Sequence, residues 1–380
     1  MTVNEILDML RGILHTTGVF NFEWKVIIMW AVGSLFMYLA IAKKYEPLLL
    51  LPIGFGIFIV NFPLVPLMGY SDQHAQLLQV FYHYGLEWEV IPCIIFLGLG
   101  AMTDFGPLIA NPKTLIVGAG AQLGVFITFT GTVLAGFTLK EAASVGIIGG
   151  ADGPTTIYLT QHLAPQLLGP NALAAYSYMA MVPLIQPGIM RLMTNSEERK
   201  IRMRQLRSVS RQEKILFPLV TAGIIALLVP SVIPLMGMFM LGNLMKESGV
   251  VGRLTDTAQG SLMNIVTIFL GVSVGATMHA NNFLSWKPLF IFGLGLLDFG
   301  VCTVGGILTV KIMNLFLKEK INPLIGSAGV SAVPMAARVS QLQGLRYDKT
   351  NHLLMHAMGP NLAGVIGSAA AAGMFIAMFD

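Results

Sequence analysis

The chain has 380 residues, of which 55% are hydrophobic and only 11% charged, with a formal net charge of +4 and a mean hydropathy of +0.73. A soluble domain carries about 25% charged residues, so this composition excludes a water-soluble enzyme and a nucleic-acid-binding domain. It leaves a polytopic membrane protein with room for about ten spans of roughly 20 residues. The 41 glycines and 19 prolines are too many for smooth bundles and predict broken, closely packed helices. Cys93 and Cys302 lie far apart in apolar runs and read as small core residues, not as a disulfide. The first 25 residues carry Glu5 and Asp8 and lack the basic start of a cleaved signal peptide.

Residues 4–17 place Ile6, Leu7, Leu10, Ile13 and Leu14 on one helical face, which predicts a short helix lying at the membrane interface. Apolar runs follow at about 26–42 and up to Met68. A polar loop from Gly69 to Glu89 has acids and histidines but no Lys or Arg, and is expected outside. Further runs end near Asp104 and Phe137, and a short Gly-rich segment leads to an apolar stretch ending at Met190. Between Arg191 and Lys214 stand eight basic residues, among them Arg199, Arg202, Arg204 and Arg207. The positive-inside rule makes this loop cytoplasmic. The expected division is an interfacial helix over 1–25, a first membrane repeat over 26–190, a basic cytoplasmic linker over 191–214 and a second repeat over 215–380.

The two repeats share residues. Ile95-Phe96-Leu97-Gly98 returns as Ile268-Phe269-Leu270-Gly271, 173 residues on. Ile148-Gly149-x-Ala151 returns as Ile325-Gly326-x-Ala328, and Ala180-Met181-x-Pro183 as Ala357-Met358-x-Pro360, both 177 residues on. Ordered matches at a nearly constant offset indicate an internal duplication. Paired halves with broken helices are the signature of inverted-repeat transporters with a site near the midplane. The expected fold is all-α: two inverted repeats with broken helices and about 10–11 transmembrane segments.

The segment Gly149-Gly150-Ala151-Asp152-Gly153-Pro154-Thr155-Thr156 sets one carboxylate beside Gly and Pro in an otherwise apolar stretch. An ionisable group in hydrocarbon costs roughly 2.5–3.5 kcal/mol on insertion scales and is a functional signal. Pro154 frees the carbonyl of Gly150 from helical bonding. Asp152 is then either a hard-cation ligand or the cap of a helix starting at Pro154. The matching segment, Asn322 to Arg338, frees the carbonyl of Val330 at Pro334, beside the Ser331 hydroxyl. Gly359-Pro360 predicts a third break and brings the carboxamide of Asn361. Such oxygens suit sodium, whereas no His or Cys spacing suits a transition metal. Asp298, in an apolar run at the place Gln122 holds in the first half, is either a second ion ligand or part of a local hydrogen-bonded pair. Arg338 either binds an anion or snorkels to the interface. Tyr178 reads as a packing residue on sequence grounds.

With these motifs in view, the chain resembles the beta subunits of the sodium-translocating, biotin-dependent decarboxylases (oxaloacetate, methylmalonyl-CoA, glutaconyl-CoA and malonate systems). The resemblance runs over nearly the whole length. It is carried by the Gly149–Thr155 motif, Asn243-Leu244-Met245-Lys246-Glu247-Ser248-Gly249-Val250, Gly329–Val339 and Gly359-Pro360-Asn361-Leu362-Ala363-Gly364. Gln186-Pro187-Gly188 departs from the Gln-Pro-Pro common in that family. The resemblance implies a subunit of a bacterial or archaeal cytoplasmic membrane that takes carboxybiotin from a soluble partner. Carbon dioxide is released with uptake of a proton, and the release is coupled to sodium export.

The resemblance also implies roles for particular residues. Asp152, Tyr178, Ser331 and Arg338 are the catalytic candidates, and Arg338 is the partner of carboxybiotin. Asp152, Asn322, Gly326, Ser331 and Asn361 are the sodium ligands, with Asp298 a possible further one. Implied partners are a carboxyltransferase alpha subunit, a biotin carrier and a small gamma or delta membrane subunit. The implied architecture is a scaffold domain that forms a homotrimer and a mobile core domain. The competing expectation is a stand-alone sodium-coupled transporter of carboxylates or protons.

Overall fold

The structure, a computed structural model, describes residues 17–18, 22–65, 67–71, 74–150 and 152–380. The interfacial helix expected over 4–17 lies outside the described residues except for Thr17, as does Ala151 of the Gly-rich motif. The described chain is helical apart from a two-residue antiparallel pairing of Tyr70–Ser71 with His74–Ala75. Among the described residues, five helices are each long and apolar enough to cross a bilayer: Trp24–Lys43, Thr114–Leu134, Gly252–Ala276, Trp286–Phe316 and Leu354–Phe379. A sixth arises if the bent pair Leu77–Glu87 and Val90–Met102 counts as one span. This is about half the number of apolar runs in the sequence. The remaining runs fold as shorter or Pro-containing helices, such as Pro47–Val60 around Pro52 and Leu168–Met193 around Pro183 and Pro187.

Two compact units form. The first takes the chain up to Trp88 together with Thr267–Leu289; the second takes Glu89–Val266 and Phe290–Asp380. Each unit therefore draws chain from both sides of the basic linker. In the first, Trp30 packs among Phe22, Phe58 and Phe62 at ring separations of 4.6–5.8 Å. Asn61 ties its two stretches of chain together, donating to the Met278 carbonyl at 2.9 Å and accepting from the Ala280 N–H at 2.8 Å.

The second unit holds both expected breaks, each beginning as a short 3-10 turn: Ile147–Gly150, then helix Gly153–Leu163, and Pro323–Gly329, then helix Met335–Tyr347. Helix Leu354–Phe379 packs against both. The third expected break does not form, because this last helix runs on through Gly359 and Pro360. Membrane helices tolerate an internal Pro where neighbouring groups satisfy the freed backbone.

The basic linker is an extended strap between helices Ser196–Arg199 and Arg211–Leu228, the latter started by a Ser210–Glu213 capping box. Arg202 pairs with Asp348 at 2.7 Å, Arg204 with Glu319 at 2.6 Å and Arg207 with Glu213 at 2.7 Å. Nearby, Lys214 bonds Asp104 at 2.9 Å. Burial raises the pKa of Asp104, but the bonds from Lys214 and the Gly106 N–H outweigh it and leave the carboxyl below its ordinary range.

Candidate cation site where two helix breaks meet

The first break closes on the second. The Gly150 carbonyl released by Pro154 accepts the Ser331 N–H at 2.7 Å, so the backbone of each half satisfies the other. Asp152 caps the helix that follows: its Oδ1 accepts the Thr155 N–H at 3.4 Å and its Oδ2 the Thr155 hydroxyl at 2.7 Å. The capping role foreseen for this residue is therefore present. The carboxylate does more than cap, however, because its Oδ2 also accepts the Ser368 hydroxyl at 3.1 Å, and Ser331 donates to Ser368 at 3.1 Å. Asp152 and Ser331 are 4% and 5% exposed, and Thr155 and Ser368 are fully buried. One carboxylate and three hydroxyls thus gather from three separated stretches of chain, at a helix N-terminus.

The second break is organised by amides. Asn361 donates to the Ala328 carbonyl at 3.0 Å and to the Val330 carbonyl, freed by Pro334, at 2.7 Å. Gln186 donates to the Ser327 carbonyl at 2.8 Å. The side-chain oxygens of Asn361 and Gln186 are buried and accept no hydrogen bond from the protein. An acceptor left so costs on the order of 1–3 kcal/mol unless something else fills it.

The other expected site residues stand elsewhere. Asn322 is buried but committed: its oxygen caps the Leu324 N–H at 3.0 Å, and its amide holds the carbonyls of Arg199 and Ile201 in the linker at 3.0 and 2.8 Å. Gly326 makes a close helix approach, since a Cβ there would stand 2.4 Å from the Gly306 carbonyl oxygen. Arg338 is exposed on the first turn of helix Met335–Tyr347, and no side-chain partner holds it among the described residues. The Tyr178 hydroxyl donates to the Phe292 carbonyl, and its ring packs among Ile148, Ala174 and Ile291.

Asp298 belongs to a local network. Its Oδ2 accepts the Gly149 N–H at 2.7 Å, and the Cys302 thiol lies 3.5 Å from Oδ1. Gly149 has to be Gly, because a Cβ would stand 2.0 Å from the Asp298 carboxyl carbon. Asp298 thus grips the turn that precedes Asp152 without joining the hydroxyl cluster.

Three residues near Asp152 are not among the expected site residues. Ser368 hides in a Gly- and Ala-rich run of the last helix, and its only signal is a spacing of two helical turns from Asn361. Tyr176 packs its ring on Gly153, where a Cβ would meet the ring at 2.2 Å, and its buried hydroxyl has no protein partner. Residues two apart on a helix face roughly 200° apart, so Tyr176 and Tyr178 cannot both turn towards Asp152. Gln122, at the junction of Thr114–Ala121 and Leu123–Leu134 within the span Thr114–Leu134, is the third.

Beside the linker lie two basic cavities of about 800 and 630 Å³. Lys113, Arg202, Arg204, Arg207, Lys318 and Lys320 line the larger, and Glu319 is its one acid.

Comparison with known proteins places the chain in a family. Residues 25–379 match the family described as the Na+-transporting oxaloacetate decarboxylase beta subunit. The methylmalonyl-CoA decarboxylase subunit beta of Propionigenium modestum is 55% identical, covering 98% of this chain and 100% of its own. The glutaconyl-CoA decarboxylase subunit beta of Acidaminococcus fermentans is 55% identical, with 97% of each chain covered. The oxaloacetate decarboxylase beta chain 2 of Salmonella typhimurium is 51% identical, covering 97% of this chain and 99% of its own. A multi-pass helical membrane chain with a buried carboxylate where two helix breaks meet, it belongs to the family of beta subunits of sodium-transporting decarboxylases.

Proposed function

We propose that this subunit exchanges a sodium ion for a proton at Asp152 and couples that exchange to the decarboxylation of carboxybiotin carried by a partner subunit. The observation that supports this best is the Asp152–Thr155–Ser368–Ser331 cluster, buried where the two breaks bond to each other. Asp152 is the one acid of the paired motifs Gly149–Thr156 and Asn322–Arg338. Sodium as cargo needs this carboxylate ionised, and a proton on it cancels the charge, so the two compete for one group. Ser331, Asn361 and the carbonyl groups of the second break are the further proposed sodium ligands. Asn322 and Gly326 support the site from its flank, by holding the linker and by close packing.

The partner's prosthetic group supplies, when bound, the carboxylate that leaves as carbon dioxide. The residues present fit an anion of that kind: six Lys and Arg side chains line the larger linker cavity against one acid, Glu319. Arg338, exposed and unpaired among the described residues, is the proposed contact for the carboxylate. The proton that replaces it comes from Asp152, with Ser331 and Ser368 joining Asp152 in one hydrogen-bonded chain. Tyr178 is the proposed support of the core behind the first break. The proposed assembly contains a carboxyltransferase alpha subunit, a biotin carrier, a small membrane subunit and three copies of this chain, with the linker on the cytoplasmic side.

The test is sodium uptake into proteoliposomes containing the reconstituted complex. Asp152→Asn should abolish both uptake and sodium-dependent decarboxylation of carboxybiotin. Normal sodium uptake in that variant would overturn the proposal.

A further inference from the structure

Gln122 closes the cluster from a side that no motif marks. Its amide Nε2 donates to the Gly364 carbonyl at 3.3 Å, and because a carbonyl only accepts, this contact fixes which end of the amide is which. Its stem lies on the last helix, where a Cβ on Gly367 would stand 3.0 Å from Gln122 Cγ. The oxygen, Oε1, is thereby turned towards Gly150. A Cβ on Gly150 would meet Gln122 Oε1 at 3.4 Å and the Ser368 Cβ at 3.3 Å, so both side chains flank the same bare backbone position. Gln122 is 5% exposed, and Oε1 is buried with no donor from the protein. Asp298, which occupies the place of Gln122 in the second repeat, holds the N–H of the neighbouring Gly149. The two repeat-related side chains therefore converge on one turn, one as a carboxylate taking a backbone hydrogen and the other as an amide with a bare oxygen.

An acceptor oxygen that is buried, fixed in direction and without a donor is fitted for a cation. The oxygens of the hydrogen-bonded cluster comprise one carboxylate, Asp152, and otherwise neutral hydroxyls, while the carboxylate of Asp298 is engaged outside it by the Gly149 N–H and Cys302. One negative charge among neutral oxygens balances a monovalent ion and falls short of what divalent oxygen sites usually supply. We propose that Gln122 Oε1 and Ser368 Oγ complete the oxygen shell around the ion at Asp152, with Gln122 setting its affinity and its selectivity for sodium. This rests on the assignment of Asp152 as the sodium-exchanging group.

The experiment uses the complete complex in proteoliposomes. Sodium concentration is varied, uptake and carboxybiotin decarboxylation are followed together, and the sodium-induced rise in melting temperature is measured on the purified complex. Gln122→Leu should raise the half-saturating sodium concentration in all three readouts by roughly tenfold, as expected for loss of one ligand contact. It should also change the ratio of sodium to lithium stimulation. Ser368→Ala should shift the same midpoints in the same direction. Should Gln122→Leu fail to assemble, Gln122→Met keeps an unbranched stem against Gly367 and replaces the amide, both Oε1 and the Nε2 that bonds Gly364, with a thioether. Unchanged midpoints and an unchanged sodium-to-lithium ratio in the variant that assembles would overturn the proposal. The two assignments fail separately: sodium uptake by Asp152→Asn removes the underlying site, whereas a dead Asp152→Asn beside a normal Gln122 variant removes only the role of Gln122.

Discussion

The two helix breaks lie in segments whose residues match at a constant offset, yet they satisfy their freed backbone in different ways. At the first, the Gly150 carbonyl goes to the backbone of Ser331, which leaves the side chains of Asp152 and Thr155 to face each other and Ser368. At the second, the Val330 carbonyl goes to the side chain of Asn361, and the start of the segment is fastened to the linker through Asn322. The first break keeps a charge and hydroxyls available, and the second uses its amides to hold a backbone in shape. The matching segments give two similar frames. Side-chain chemistry made one of them a candidate ion site and the other its wall.

The strongest way to break this picture is to crowd the first turn. Gly149→Ala drives a methyl into the Asp298 carboxyl group, with the nearest atoms 2.0 Å away. Overpacking usually costs about 1–3 kcal/mol, and here the Gly149–Asp298 bond is lost as well, so a loss of roughly 3 kcal/mol or more is expected. It should be read as a fall in the melting temperature of the detergent-solubilised complex, together with loss of sodium uptake. A variant as stable as the parent would show that the turn is free to move away from Asp298.

A comparable insult to the second break removes its amide. Asn361→Leu leaves the Ala328 and Val330 carbonyls unpaired in a dry interior, a cost of about 1–3 kcal/mol for each. The expected outcome is a destabilised subunit in which sodium stimulation is weakened, measured by thermal melting and by the sodium dependence of decarboxylation. Asp298→Asn separates support from ligation at the first break. It keeps an acceptor for Gly149 and loses the charge, so about 1 kcal/mol of stability should go, while the sodium midpoint stays within twofold. A large rise in that midpoint would make Asp298 an ion ligand after all.

Much of this architecture was legible in the chain. The charge count announced a membrane protein, and Pro154 and Pro334 announced where helices break. The duplication matched the two segments, and Asp152 stood out because a carboxylate in an apolar run is costly. What could not be read was direction. Nothing in the spacing of Tyr176 and Tyr178 says which ring packs on Gly153, and the resemblance pointed to Tyr178. Pro360 follows a Gly as Pro154 does but sits in an unbroken helix, because breakage depends on which neighbours satisfy the freed carbonyl. Asn322 reads as an oxygen ligand, yet the tertiary fold spends its amide on the linker. Ser368 and Gln122 become visible only once the last helix is laid against the two breaks.

The smallest expected effect concerns that linker, which tethers the start of the second break through Asn322. The Ile201 carbonyl is held by both Asn322 and Asn351, at 2.8 and 3.0 Å, and the adjoining Arg202 is held by Asp348. The hydrogen bond from Arg202, with those from Thr350, holds the Asp348 carboxyl down at about 2, against an ordinary value of 3.8. A carboxyl depressed in the folded state stabilises that state above its ordinary value, and the contribution is lost as the pH falls through the folded one. The Arg202–Asp348 contact should therefore be intact at pH 5 and weaken progressively between about pH 4 and pH 2. Hydrogen exchange at the amides of residues 201–204, corrected for intrinsic pH dependence, should rise across that window, and Asp348→Asn should exchange faster at pH 5 and lose most of the added acid response. Because the Arg202 side chain of this pair is largely solvated, the effect is small. Its value is in location: faster exchange should spread from the linker to residues 322–329 and leave residues 147–156 unchanged, since only the second break is tied to the linker through Asn322.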